Sequence, residues 1–400
     1  MKPYKHQEDI SKKAYEILKS YGLCYLAMEE RTGKTLTSIL VAEMSKANKI
    51  LVLTKKAAIV GWEDTFRAYD ITKQYIVINY QSVHKLETDD FDLIIVDEAH
   101  SSGMSTYPKK SKVYDTVRSI TYNKPIIYLS ATPYAESLSQ IFHQLNLTKY
   151  SPFNKYKSFY KWFSDFGTVE TKWIGGRTLK EYKNAHSHKI LPIIDKYFIK
   201  YTRKDLGFEH EPEDVLHYIE LNQVTKHIYN KLVKDDFLPD YDFVADTPMK
   251  LRTGLYQIEG GTLKLNEETT NLGNTEKIDY IKANFNKDVA VMANFVGEQE
   301  LLKKHFKNVY SSTADAEGVD LSHLDELVIY SMNFSTAQFI QRRARQANKK
   351  RSKPIKVHFL LVKGSISEQV YNAVANKRVN FTNNMFKRSA LWVKHKYRKR

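Results

Sequence analysis

Short apolar runs alternate with helix-like stretches over residues 22–140, and this alternation limits the possible folds more than any other feature of the chain. The apolar runs have the length of strands and are rich in valine, isoleucine, leucine and tyrosine; they cover residues 23–28, 50–54, 75–79, 93–97 and 125–130. Strands that alternate with helices are typical of βαβ units around a buried parallel sheet. We therefore predict an α/β fold.

The alternation returns in the second half of the chain. Strand-like runs cover residues 215–221, 289–293, 327–330 and 357–362, and helix-like stretches cover residues 223–234 and 335–347. Since 400 residues exceed one ordinary core, two parallel-sheet domains are expected. We predict a first domain at residues 1–149, an insertion at 150–204, a second domain at 205–375 and a basic tail at 376–400.

Positive charge is concentrated at the C-terminal end. Residues 341–400 hold 18 lysines and arginines and one acidic residue, Glu368, so their net charge is +17. The first 340 residues have a net charge of −1, which gives +16 for the whole chain. Such asymmetry indicates a polyanionic partner. A solubilising tail remains the alternative.

Residues 151–200 differ from both flanking regions, because they hold 11 aromatic residues and ten lysines and arginines against four acidic residues. Rings interleaved with cations are typical of surfaces that bind single strands. Tyr160, Trp162 and Trp173 are therefore candidates for stacking on bases or for a wedge at a fork. The alternative, which we weigh more heavily, is that the rings form a small core of the insertion.

Several classes of protein are excluded by composition. The one cysteine, Cys24, excludes a disulfide framework and a cysteine-based zinc site, and the 13 histidines show no zinc-binding spacing. No apolar run approaches the ~18–20 residues that span a bilayer, and residues 1–13 lack the apolar segment of a signal peptide. We expect a cytoplasmic protein without zinc or a membrane partner.

Residues 27–35 have the context of a phosphate-binding loop, since they follow an apolar strand and precede a helix. Gly33 lets the backbone approach a phosphate, Lys34 neutralises its charge, and the Thr35 hydroxyl is a ligand for Mg²⁺. The strict pattern G-x-x-x-x-G-K-[ST] is not met, because Met28 occupies its first position. A chance loop before a helix is the alternative. The predicted ATP-binding residues of this loop are Arg31, Thr32, Gly33, Lys34 and Thr35.

A second acidic motif follows the strand-like run at residues 93–97. That strand delivers Asp97 and Glu98 to its carboxyl end, the edge at which parallel sheets bind ligands. Asp97 is predicted to hold Mg²⁺ and Glu98 to polarise the attacking water as a general base. A pair of capping residues at a strand end is the alternative.

The ordered motifs resemble those of superfamily 2 helicases and translocases. Gly33-Lys-Thr35 followed by Asp97-Glu-Ala-His100 carries the resemblance, and Ser130-Ala-Thr132 resembles the motif that couples hydrolysis to nucleic-acid binding. The resemblance implies two RecA-like domains with ATP between them. It assigns adenine recognition to Gln7 in Tyr4-Lys-His-Gln7. It places nucleotide contacts from the second half at Gly318, Asp320, Gln338, Arg342 and Arg345, where the two arginines approach the γ-phosphate.

The same resemblance implies contacts with the nucleic-acid backbone. They fall at Lys55, Lys56, Trp62, Asn79, Tyr80, Asn294, Phe295, Ser312 and Thr313. Three departures from the family pattern affect fine geometry: Arg31 and Gln341 replace glycines, and Lys55 replaces a proline.

Within the superfamily, residues 201–205, 217–221 and 364–366 are similar to the Swi/Snf branch, and the compact length resembles phage-encoded members. The resemblance implies a monomeric, ATP-driven DNA helicase or translocase that unwinds or branch-migrates forked DNA. A double-strand translocase that remodels DNA–protein complexes, an RNA helicase and a catalytically silent scaffold are the alternatives.

Overall fold

Two compact units, Met1–Phe208 and Glu209–Arg400, make up the computed structural model of the chain. The structure describes residues 2–86, 88–101, 103–174, 177–207, 212–265, 268–311, 326–336, 339, 355–376 and 381–386. Each unit contains one large parallel sheet with helices, so the predicted α/β class with two parallel sheets is confirmed.

The first unit is built on a six-stranded parallel sheet in the order β3-β2-β4-β5-β1-β8. Its strands are β1 Leu23–Met28, β2 Lys49–Thr54, β3 Gln74–Asn79, β4 Leu93–Asp97, β5 Ile126–Leu129 and β8 Phe198–Tyr201. Five of them match the apolar runs of the sequence. The sixth comes from the end of the predicted insertion, because Phe198–Tyr201 pairs with β1.

The described residues of the first unit form seven α-helices beside this sheet. They are α1 Lys5–Tyr21, α2 Lys34–Met44, α3 Ile59–Ala68, α4 Lys112–Thr121, α5 Ile141–Leu145, α6 Phe159–Phe166 and α7 Ser187–Ile194. Alternate residues of the central strands enter two core clusters on opposite faces: Tyr25 and Val96 face one, and Leu26 and Ile95 face the other. Cys24 is fully buried in the second cluster.

The region predicted as an insertion is divided between core and surface. Its N-terminal part and α6 belong to the larger core cluster of the first unit, where Phe153 and Trp162 are buried. An antiparallel hairpin follows, made of β6 Gly167–Ile174 and β7 Arg177–Ala185. The hairpin carries the exposed Trp173, while Tyr182 of β7 packs against the core.

The second unit has a five-stranded parallel sheet in the order β15-β14-β16-β17-β9. Its strands are β9 Glu213–Tyr218, β14 Ala290–Ala293, β15 Val309–Ser311, β16 Glu326–Ile329 and β17 Lys356–Leu361. Two small antiparallel pairs join β10 Phe237–Leu238 to β11 Phe243–Val244 and β12 Thr262–Leu265 to β13 Glu268–Asn271. The described helices are α8 Gln223–Asp235, α9 Pro248–Glu259, α10 Glu276–Asn284, α11 Val296–Lys303, α12 Ile366–Tyr371 and α13 Asn383–Phe386.

Two further observations concern membrane-spanning helices and metal sites. Among the described helices, none combines the length and apolar character needed to cross a bilayer. The described residues also contain no group of three or more histidine, cysteine, aspartate or glutamate side chains arranged to hold a metal ion.

Candidate functional site

The phosphate-binding loop connects β1 to α2 and is shaped by two residues with left-handed backbone conformation. Gly33 has φ +86° as the N-terminal cap of α2, and Arg31 has φ +64°. The Thr32 hydroxyl donates a hydrogen bond to the carbonyl of Glu29 at 2.6 Å, which closes the loop on itself. α2 therefore begins directly after a tight turn. The backbone amides of its first turn have no partner within the helix, and such amides attract anions.

Lys34 folds back over the end of β1. Its Nζ donates to the carbonyl oxygens of Met28 at 2.9 Å and of Glu29 at 3.2 Å. These bonds hold the ammonium group at the carboxyl edge of the sheet, beside the first turn of α2.

Gln7 packs directly against the phosphate-binding loop. It is almost fully buried. Its Oε1 accepts from the Tyr4 amide at 2.9 Å, and its Nε2 donates to the Gly33 carbonyl at 3.4 Å. A Cβ at Gly33 would lie 2.1 Å from that Nε2 and would sit on a backbone with φ +86°, so a larger residue would be strained and would displace the Gln7 amide. The structure thus brings the predicted adenine-recognition residue to the predicted phosphate site.

A short stack of rings continues along the same side of the loop. His6 lies 5.9 Å from Tyr4 and 5.6 Å from Tyr201, with both pairs of rings nearly parallel, and its Nε2 is 3.1 Å from the Thr32 carbonyl oxygen. Tyr201 is the last residue of β8. The stack therefore ties α1, the loop and β8 together.

Asp97 lies at the end of β4 and is almost fully buried. Its Oδ2 accepts from the Thr54 hydroxyl at 2.8 Å and from Trp62 Nε1 at 3.0 Å. Burial and the charge of Glu98 raise the pKa of Asp97, while the bonds from Trp62 and Thr54 and the charge of Lys34 act in the opposite direction. The donors therefore help this carboxyl group to ionise in an apolar setting.

Glu98 stands beside the motif that follows β5. It has φ +50°, and its Oε2 lies 3.3 Å from His100 Nδ1. The same Nδ1 is 2.8 Å from the Ser130 hydroxyl, which accepts from the Thr132 amide at 3.0 Å. β5 lies between β4 and β1 in the sheet. The contacts of His100 therefore connect the end of β4, which carries Asp97 and Glu98, to the segment after β5, and β5 is the neighbour of the strand that leads into the predicted phosphate-binding loop.

Hard oxygen donors make this edge suitable for Mg²⁺. Asp97 supplies a carboxylate and Thr35 a hydroxyl. The hydrogen bonds from Thr54 and Trp62 both reach Asp97 Oδ2, so neither of them occupies Oδ1. Magnesium prefers few protein oxygen ligands together with phosphate and water. The residues present fit a magnesium–nucleotide complex.

The sequence analysis missed one charged group in this site. Arg203 is buried, and its amide donates to Glu29 Oε2 at 2.7 Å. Its guanidinium nitrogens lie 3.8 Å from Glu29 Oε2 and 3.7 Å from Glu30 Oε2. The available signal was the pair of acidic residues, Glu29 and Glu30, inside a loop that is predicted to bind phosphate.

The predicted nucleic-acid contacts of the first unit fall into two groups. Trp62 and Tyr80 are buried, and both bond to Asp97, since the Tyr80 hydroxyl donates to its carbonyl oxygen at 2.5 Å. Trp162 is also fully buried and packs with other rings of the core. The accessible members are Lys55, Lys56, Asn79, Tyr160 and Trp173.

In the second unit, Asn294 and Phe295 follow β14. The Asn294 amide donates to the Ser331 hydroxyl at 2.7 Å, and the Phe295 amide donates to Glu298 Oε2 at 3.3 Å. Phe295 packs partly against the core. The remaining predicted residues lie outside the described part of the chain: Ser312, Thr313, Gly318, Asp320, Gln338, Arg342 and Arg345.

Comparison with known proteins identifies a family. The SNF2-related domain matches residues 71–271, half of the chain, a stretch that contains Asp97, Glu98, Ser130 and Arg203 but not the phosphate-binding loop. No curated protein matches the chain.

Two solved structures are similar to most of the chain. One is the helicase domain of Hef from Pyrococcus furiosus, at 14% identity and a TM-score of 0.48, covering 92% of this chain and 97% of that one. The other is the SWI2/SNF2 ATPase core domain of Sulfolobus solfataricus, at 14% identity and a TM-score of 0.43, covering 98% and 94%.

Proposed function

The chain belongs to the SNF2-related domain family, and from this premise we propose that it is a nucleic-acid-dependent ATPase that moves along DNA. The observation that carries the proposal is the meeting of Lys34, Asp97 and Glu98 at one sheet edge, where the charge of Lys34 acts on Asp97. Hydrolysis of a magnesium nucleotide needs a cation at a helix N-terminus, here Lys34, and carboxylates close to that cation, here Asp97 and Glu98.

The phosphates of ATP are proposed to bind the first-turn amides of α2. Lys34 exchanges its bonds with the carbonyls of Met28 and Glu29 for the β- and γ-phosphates. Thr35 and Asp97 would hold Mg²⁺, and the bound ion would supply positive charge to offset that of the phosphates. Gln7 contacts the adenine from its position against Gly33.

Glu98 is proposed as the general base. It orients a water for attack on the γ-phosphate, and His100 holds its carboxylate in place. Because His100 also contacts Ser130, a change at the nucleotide can reach the Ser130–Thr132 segment, which the family resemblance couples to nucleic acid. We propose that Arg342 and Arg345 stabilise the transferring phosphoryl group, with Gln338 beside them and Gly318 and Asp320 also at the nucleotide.

The partner is proposed to be DNA, forked or branched, with the chain acting as a monomer. The basic residues 341–400 support a polyanionic partner, and the accessible Lys55, Lys56 and Asn79 support a strand that crosses the first unit. Strand separation, as opposed to translocation along duplex DNA, is tested by strand displacement on a fork.

The proposed function is tested by ATP turnover with and without single-stranded, duplex, forked and four-way DNA and single-stranded RNA. We expect DNA to stimulate turnover, Lys34→Ala to abolish it, and Glu98→Gln to retain ATP binding but lose at least a hundredfold in rate. Lys46→Ala, which removes an exposed lysine two residues after α2, is the matched control with unchanged turnover. Full DNA-stimulated turnover by Lys34→Ala would contradict the proposal.

A further inference from the structure

A basic cavity of about 700 Å³ lies within the first unit. It is formed by the segment before α4, by α4 itself and by the start of α6. Its volume is typical of a site for one small organic group. None of the residues assigned to the nucleotide above lines it.

The lysine and arginine side chains that line the basic cavity face no acidic residue in its lining. They are Lys109, Lys110, Arg118 and Lys157. Nearby Asp115 pairs with Lys110 at 2.5 Å. Lys109 and Lys157 are exposed, and within the described chain neither forms an ion pair, so both remain available to an anion.

Tyrosine rings supply the rest of the site. Tyr122 stacks on the Arg118 guanidinium at 4.0 Å and donates its hydroxyl to Asn154 Oδ1 at 3.1 Å, which fixes its ring. Tyr156 donates its hydroxyl to Asp165 Oδ2 at 2.8 Å, which occupies that nearby carboxylate. Tyr160 is 47% exposed and packs edge to face against Tyr182 at 5.4 Å, so about half of its side chain is accessible to a planar ligand.

His143 fits the same chemistry. Its Nδ1 donates to the Thr106 carbonyl oxygen at 2.6 Å, and burial lowers the pKa of this histidine, so its other nitrogen is an acceptor. An acceptor among cations and rings suits a ligand with both acidic oxygens and N–H donors. A nucleotide has both, whereas inorganic phosphate at neutral pH has few donors.

We propose that the basic cavity binds one unpaired nucleotide of a single strand, with its phosphate on Lys109 and Lys157 and its base against Tyr122 or Tyr160. The strand must be unpaired because bases stack on aromatic side chains only when they have left a duplex. This inference rests on the proposed function, since it names where the nucleic-acid partner touches the first unit. It adds a strand contact distinct from Lys55, Lys56 and Asn79.

The test measures binding of the full-length chain to a fluorescent oligo(dT) of roughly 20 nucleotides, a length that covers one site. Affinity is recorded over a range of salt for the wild type, for Lys109→Gln/Lys157→Gln, and for Lys12→Gln/Lys46→Gln. The last variant removes the same charge from exposed positions elsewhere on the first unit. Because all four lysines are exposed, both variants are expected to fold, and circular dichroism confirms this for each preparation.

We expect Lys109→Gln/Lys157→Gln to bind oligo(dT) about tenfold more weakly and to reduce the slope of log K against log salt by about 0.7, the value for one phosphate contact of a single strand. Lys12→Gln/Lys46→Gln should keep the wild-type slope. Equal slopes for the two variants, with the wild type still binding, would overturn the inference but leave the proposed function standing. A wild type that binds no nucleic acid would overturn both.

A second readout locates the base. Irradiation of the chain with a strand that contains 5-iodouracil should give adducts on Tyr122 or Tyr160, mapped by mass spectrometry. Adducts confined to residues outside the basic cavity would contradict the assignment, and so would unchanged adducts in Lys109→Gln/Lys157→Gln.

Discussion

At the scale of single residues, a phosphate-binding loop with two carboxylates must compensate them before it can hold an anion. Burial raises the pKa of Glu30, and Lys34 and Arg203 oppose that shift. Glu30 Oε1 is buried without a hydrogen-bond partner in the described structure. We therefore expect Arg203 to offset the charge of Glu29 and Glu30, so that Lys34 can interact with nucleotide phosphates.

We predict that Arg203→Ala weakens ATP binding by roughly tenfold, about 1.4 kcal/mol. Loss of one partner of a buried ion pair leaves the other charge uncompensated, and here that charge would repel the phosphates. The measurement is the dissociation constant of ATP by calorimetry. Arg203→Lys should restore part of the affinity, since one ammonium group cannot match the planar guanidinium.

Two further variants separate charge compensation from general damage. Lys204→Ala removes the neighbouring exposed cation and should leave ATP binding unchanged. Adding Glu30→Gln to Arg203→Ala should recover affinity, because the uncompensated charge is then removed. Wild-type affinity in Arg203→Ala, or no recovery in the double variant, would show that Arg203 has no such role.

Trp62 gives a prediction for pH dependence. Its indole donates to Asp97, and Trp62→Phe removes that donor while keeping a ring. The pKa of Asp97 should then rise further, because the ionised carboxylate loses a bond. Since Mg²⁺ binds the ionised form, the acid limb of the ATPase pH profile should move to higher pH, and more Mg²⁺ should be needed at the acid end of the profile.

The matched control is Tyr80→Phe. It removes a buried hydroxyl from the same pocket, but that hydroxyl bonds to the Asp97 backbone rather than to its carboxylate. The acid limb of the ATPase pH profile of Tyr80→Phe should therefore lie at the same pH as that of the wild type. If both variants shift equally, packing around Asp97 rather than the indole bond controls its ionisation.

The limits of sequence reasoning are visible among these same residues. Lys34 and Asp97 could be located because a strand followed by a loop and a helix is a local pattern. Thr54 and Arg203 could not, because their contacts depend on which strands are neighbours: β2 lies beside β4, and β8 lies beside β1. Strand order is a long-range property that apolar runs do not encode.

At the scale of elements, an aromatic-rich stretch can be core, surface or both. Trp162 and Tyr160 are two positions apart on α6, yet one is fully buried and the other 47% exposed. Composition identified the stretch but could not assign its rings, because the helical phase of α6 relative to the core decides each one. Removal of the entire stretch would therefore destroy the core of the first unit.

The hairpin of β6 and β7 offers a narrower change. Its base is anchored, since the Ser139 and Ser137 hydroxyls donate to the carbonyls of Tyr182 and Lys183 at 2.5 and 2.6 Å. Replacement of residues 171–180 by Asn-Gly joins Glu170 to Glu181, which are paired in the hairpin. We predict an unchanged melting temperature, near-normal DNA-stimulated ATP turnover, and at least a fivefold loss of strand displacement on a fork.

Trp173→Ala is the point-variant counterpart, because this ring is 74% exposed. It should reproduce much of the loss, whereas Leu179→Ala, at a second exposed apolar position of the hairpin, should not. Equal loss of turnover and displacement in the shortened chain would assign the hairpin a structural role. Normal displacement would exclude it as a wedge.

At the scale of the whole molecule, charge and family assignment point to the same partner from separate parts of the sequence. The SNF2-related match covers residues 71–271, whereas the excess of +17 lies in residues 341–400. The second unit could be predicted as a parallel sheet from its apolar runs. The function of its basic end could not, because a solubilising tail and a DNA contact have the same composition.

Salt dependence distinguishes these two functions. The last residues, 394–400, carry five cations: Lys394, Lys396, Arg398, Lys399 and Arg400. If they contact phosphates, their replacement by glutamine should reduce the slope of log K against log salt for duplex DNA by about 3, since each contact contributes roughly 0.9 and not all need bind at once. The measurement is fluorescence anisotropy over about 50 to 200 mM salt.

The control removes five exposed lysines from the first unit, Lys12, Lys13, Lys19, Lys46 and Lys149, and so matches the change in net charge. A phosphate contact predicts a large fall in slope only for the C-terminal variant, because counterion release depends on contacts and not on total charge. A solubilising tail predicts equal slopes for the two variants and a lower solubility for the C-terminal one. A fall confined to the C-terminal variant would therefore establish these cations as part of the DNA-binding surface, while equal slopes would leave DNA binding to the rest of the chain.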